Sequence, residues 1–80
     1  MTPDEIRDRL ARIFSVVLNL DTPAEIPRAR RVSMAQWDSL AHVSLVAGIE
    51  SEFGLRLELA DHERMTSFAA IELMIAEKLG

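Results

Sequence analysis

The stretch "QWDSLAHVSLVAGIESEFG", residues 36–54, decides the fold. Asp38 and Ser39 carry short side-chain oxygens suited to capping a helix start. Apolar residues follow at steps of three and four, and Gly54 is the stop signal. Residues turn by about 100° each around a helix. On that wheel Leu45, Val46, Ile49 and Phe53 share one face, which is a core face. Leu40, Val43 and Ala47 form a second apolar stripe, with Ser39 and Glu50 lying between the two. The second stripe is either more core or an exposed patch for docking a partner. His42 projects onto the core face, where a hydrogen-bonded core histidine is the expected reading.

Working outward, "TPDE" at 2–5 supplies Thr2 as N-cap, Pro3 at the first helical position and Glu5 three residues after the cap, a capping box. Ile6, Leu10, Ile13, Phe14, Val17 and Leu18 continue at helical spacing, so a first helix runs to about Asn19. Residues 20–38 hold Pro23, Pro27 and an Asp21-Thr22 turn signal, and no period persists. A connection of this length packs or functions. Ile26, Val32, Met34 and Trp37 are the residues expected to pin it to the bundle. "LRLEL" at 55–59 alternates but has no partner strand in the chain, which favours an extended loop. Asp61 is expected to cap a short turn over "DHERM", and Thr66 or Ser67 to cap a last helix through Leu79. The expectation is an all-α small four-helix bundle, three longer helices and one short, with a long first loop, forming a single domain over residues 1–80.

Composition limits the function classes. Eighty residues leave a modest core and no room for a large substrate cleft. The chain has no cysteine, hence no disulfide framework and no thiolate metal site. Its net charge is −4. Residues 1–38 balance six acids with six arginines, and residues 39–80 set seven acids against Arg56, Arg64 and Lys78. Nucleic-acid binding is disfavoured, because tracking phosphates needs clustered cations. The "RARR" run at 28–31 is short, lacks aromatic neighbours and reads as a solvated loop. No stretch reads as a membrane span or a secretory signal, so the expected location is cytoplasmic and the expected state a monomer. Metal ligands are not expected.

Hydrolysis by a Ser39–His42 pair is a poor reading. The two are three apart on one helix but off in azimuth, and neither an oxyanion hole nor an orienting acid is evident. Asp61 and His62 lie in another segment.

Residues 37–54 resemble the second helix of acyl carrier proteins, and the resemblance extends over nearly the whole chain: a capped first helix, a long loop, Asp-Ser-Leu, Phe53-Gly54 closing the helix, a short third helix near "ADHERM" and a fourth over "TSFAAIELMIAEKL". The resemblance implies that Ser39 carries a covalent 4′-phosphopantetheine arm and that Asp38 helps a phosphopantetheinyl transferase hold its magnesium. It implies that Leu40, Val43, Ala47 and Glu50 dock partner enzymes, which would load and process an acyl group held as a thioester. The chain would then be a carrier with no catalytic residue of its own. Carriers of fatty acid synthesis usually have a strongly acidic second helix, whereas this one has only Glu50 and Glu52, and Trp37 stands before the aspartate in place of a small residue. That departure points to a discrete carrier of a specialised fatty acid, polyketide or related pathway. The alternatives are a peptidyl or aminoacyl carrier of nonribosomal synthesis and an unmodified helical adaptor docking through the Leu40 stripe. An exposed serine hydroxyl beside unpaired N–H groups at a helix start suits a phosphodiester.

Overall fold

The computed structural model describes residues 1–80 as four helices, α1 (Pro3–Leu18), α2 (Ser39–Phe53), α3 (Leu59–Arg64) and α4 (Phe68–Leu79). The long connection contains two 3₁₀ turns, Pro23–Arg28 and Arg31–Ser33. The all-α bundle is therefore as the sequence predicts, with α3 the short member.

Local chemistry explains the boundaries. Thr2 Oγ1 accepts the Glu5 N–H at 3.2 Å, and the Glu5 carboxylate accepts the Thr2 N–H at 3.4 Å, which completes the capping box. Asn19 ends α1 in the left-handed conformation at φ 54°, which an asparagine tolerates better than most residues. Gly54 does the same for α2 at φ 64°, and Leu55 N–H closes back on the Glu50 carbonyl. Ser67, not Thr66, caps α4 by accepting the Ala70 N–H at 3.1 Å.

Eighteen buried apolar residues form one cluster. Phe14 of α1 lies near its centre, edge-on to Trp37 (centroids 5.2 Å apart) and to Phe68 of α4 (5.1 Å). Phe14, Leu45, Ile49, Phe68, Ile71 and Ile75 are completely buried. The long loop is tied down at its middle. Arg31 N–H donates to the Thr66 carbonyl and Phe68 N–H to the Ala29 carbonyl, and Arg30 forms a lone antiparallel bridge with Ser67. Ile26 and Trp37 pin the loop as expected, and Met34 packs partly against the core. Val32 does not. It is 92% exposed, because the second 3₁₀ turn faces it outward.

The short third helix also departs from expectation. It begins at Leu59, the last residue of the alternating stretch, with Glu58 at the cap position. Asp61 lies inside the first turn instead, where its Oδ2 accepts the Glu58 N–H at 2.8 Å and pairs with Lys78 Nζ at 3.0 Å. These bonds to the charged form, from the Glu58 N–H first and Lys78 second, hold the Asp61 carboxyl below its ordinary value of 3.8. A carboxylate depressed by folding contributes stability above its unfolded value and loses it as pH falls further. Asp61→Asn is therefore expected to lower stability at pH 7 and to flatten the loss of stability below pH 3.8. Urea unfolding at pH 7 and pH 3 checks this, and a wild-type-like gap between the two in the variant would contradict it.

Candidate functional site

The site is built around the start of α2. Trp37 is buried, and its backbone N–H donates to the Met34 carbonyl at 3.0 Å. The chain then emerges at Asp38, whose Oδ1 accepts the Ala41 N–H at 2.8 Å. Asp38, not Ser39, is thus the N-cap, and Ser39 is the first helical residue. That division leaves the Ser39 hydroxyl free of capping duty. Ser39 is exposed, and neither its N–H nor that of Leu40 donates to any group in the chain. Two unspent N–H groups and the positive end of the helix dipole surround an accessible hydroxyl. A phosphodiester on that oxygen fits this environment.

The two stripes of α2 separate cleanly. His42, Leu45, Val46, Ile49 and Phe53 are buried. Leu40 is 78% and Val43 65% exposed, and Ala47 is exposed with them. The second stripe is therefore surface, contiguous with Ser39. Glu50 has a different occupation: partly buried, it accepts the Leu57 N–H through Oε2 at 2.9 Å and so holds the α2–α3 connection. Glu52 pairs with Arg9 of α1 at 3.5 Å. Both acids of α2 thus have partners within the chain.

His42 is 7% exposed, and its Nδ1 accepts the Trp37 indole N–H at 3.1 Å. The indole is a donor only, so Nδ1 must be bare and the neutral ring's proton sits on Nε2. That Nε2 is buried without a partner, a costly state. The His62 ring of α3 lies 5.9 Å away, edge-on. Burial first, then the Arg31 and His62 charges, push His42 below its ordinary value of 6.5. Sequence reading placed His42 in the core but missed its bond to Trp37. The two are five residues apart across a helix start, a spacing that no helical or strand periodicity pairs. Ser39 and His42 make no hydrogen bond, and no three-residue group of His, Cys, Asp or Glu is placed to hold a metal.

No protein-family model matches the chain. Over 77 residues it is 34% identical to the acyl carrier protein of Thermotoga maritima, with 96% of this chain and 95% of the relative covered. The chain belongs to the acyl carrier protein family. No helix of this carrier is long and apolar enough to cross a membrane.

Proposed function

We propose that the chain is an acyl carrier whose attachment residue is Ser39. It acts as one domain over residues 1–80 and is a carrier, not an enzyme. The observation that carries this reading is the division of labour at 38–39: Asp38 caps the helix, and the exposed Ser39 hydroxyl is left beside two free N–H groups. Transfer from coenzyme A by a phosphopantetheinyl transferase would join the arm to the serine oxygen as a phosphodiester. Asp38, adjacent and exposed, would face the transferase's magnesium. The arm supplies the terminal thiol that this cysteine-free chain lacks, and that thiol holds the acyl group as a thioester.

Leu40, Val43 and Ala47 form the face on which the transferase and the acyl-loading and acyl-processing enzymes dock. Glu50, one turn further, supports that face by fixing the connection to α3. Because Glu50 and Glu52 are both engaged within the chain, docking relies on the apolar stripe more than on free acids. This favours dedicated partners of a specialised pathway, working in the cytoplasm on a monomeric carrier.

The test is a thiol count. The apo chain has none, and incubation with coenzyme A, magnesium and a broad-specificity transferase should give one per chain; a count that stays at zero contradicts the reading. Val43→Glu should fold to within about 0.5 kcal/mol of wild type, because the side chain is largely exposed. Its loading efficiency should fall roughly tenfold, the effect of a docking residue contributing ~1.4 kcal/mol. Loading at the wild-type rate would move the docking face elsewhere.

A further inference from the structure

Between Ala29 and His42, Trp37 is the only buried residue. Ala29 and Arg31 tie the loop to the start of α4, and from there to Ser39 the chain has one fully buried anchor, the indole of Trp37, with Met34 packing only partly against the core. That indole stands edge-on to Phe14, stacks against the His42 ring with centroids 6.3 Å apart and donates its N–H to His42 Nδ1. The residue immediately before the Asp38-Ser39 pair is thereby bonded to the helix that the pair begins. The contact closes a small ring of chain around Ser39.

We propose that His42 is a positioning residue for Ser39: its neutral imidazole latches Trp37 in place, and protonation opens the latch, so that Ser39 is presented less well in mild acid. The proposal rests on Ser39 being the attachment residue.

The chemistry runs in one direction. A proton can enter the imidazole only at Nδ1, the nitrogen that accepts the indole N–H, since Nε2 already bears one. Protonation sets an N–H against an N–H in a buried site, and the Trp37 donor loses its acceptor. The new charge has nothing to balance it. The groups whose charges reach the ring are Arg31 of the second 3₁₀ turn and His62 of α3, both repulsive to a cation. Asp38, on the same helix, spends an oxygen on the Ala41 N–H. The aromatic neighbours of Trp37, Phe14 on α1 and through it Phe68 on α4, carry no charge. Because burial and the neighbouring charges hold the ring below its ordinary value of 6.5, the latch is still closed at pH 6.5 and opens only as pH falls through the lower value of the folded protein.

Two variants separate the latch from simple packing. His42→Asn keeps an acceptor oxygen at about the position of Nδ1 but cannot titrate. His42→Leu fills the space and offers no acceptor. Loading by the transferase is measured from pH 8 to pH 5.5, and each rate is divided by that of His42→Asn at the same pH, which cancels the transferase's own pH profile. The wild-type ratio should fall about two- to tenfold as His42 titrates, the span of one net hydrogen bond. His42→Leu should be lower by a similar factor at every pH, with the loss in kcat/KM. In parallel, the Trp37 indole N–H resonance of the unloaded protein should shift with the titration of His42 in wild type and stay flat in His42→Asn. That second readout does not depend on loading. A carrier that loads with a flat ratio, or an indole resonance that ignores pH, overturns the latch and leaves the Ser39 assignment standing. An indole that follows His42 in a chain that cannot be loaded keeps the contact but overturns its role in presenting Ser39.

Discussion

Ser39→Ala should abolish loading while leaving the fold intact. Both halves of that expectation come from the same few atoms. The helix cap is Asp38, whose Oδ1 holds the Ala41 N–H, so removing the neighbouring hydroxyl uncovers no buried group. Alanine is also the better helix former at an exposed first-turn position. Stability should therefore stay within about 0.5 kcal/mol of wild type. Loading should fall to background, because no other side chain shares this placement. Ser44 and Ser51 are exposed on the body of α2, where the backbone N–H groups are already spent in the helix. Asp38→Ala should lower stability and slow loading together, without abolishing it, because the carboxylate both caps the helix and would face the transferase's magnesium. It loses a cap, at a cost of about 1 kcal/mol, and keeps the hydroxyl.

Phe14→Ala should cost the most stability of any single truncation considered, about 3–5 kcal/mol. Phe14 is completely buried and makes edge-to-face contacts with both Trp37 and Phe68. Such pairs add to the loss from burial alone. A domain of 80 residues has a total stability of only ~5–15 kcal/mol, so the variant should lie close to its unfolding threshold at 37 °C. Urea unfolding followed by far-ultraviolet dichroism measures the loss, and the single tryptophan gives a second probe next to the cavity. A loss below about 1.5 kcal/mol would mean that Phe14 is not the centre of the core.

Much of this arrangement is legible in the sequence because it is local. The Thr2–Glu5 capping box, the apolar period of α1, the Asp38-Ser39 start, the Gly54 stop and the polar start of α4 each depend on residues within one or two turns. The exposed stripe was legible as a stripe but not as surface, since periodicity groups Leu40, Val43 and Ala47 without saying what covers them. What the sequence conceals is tertiary. The two 3₁₀ turns of the long loop have no periodicity of their own and are fixed by bonds from Arg31 and Phe68 across the loop–α4 junction. Val32 resembles a core anchor by residue type and is turned out by the second of those turns. Asp61 has the chemistry of a cap, but the helix starts earlier, at Leu59 with Glu58 as the cap, and gives Asp61 the reciprocal bond instead. Glu50 reads as a surface acid of α2, and only the path of the following loop brings the Leu57 N–H to it.

The central claim is that one serine out of six carries the arm, and mass spectrometry of the wild-type chain tests it most directly. After incubation with coenzyme A, magnesium and a broad-specificity transferase, the intact mass should rise by one phosphopantetheine per chain. Fragmentation should place that mass on Ser39 and leave Ser15, Ser33, Ser44, Ser51 and Ser67 unmodified. An unchanged mass, or an arm on any of the other five serines, would contradict the account.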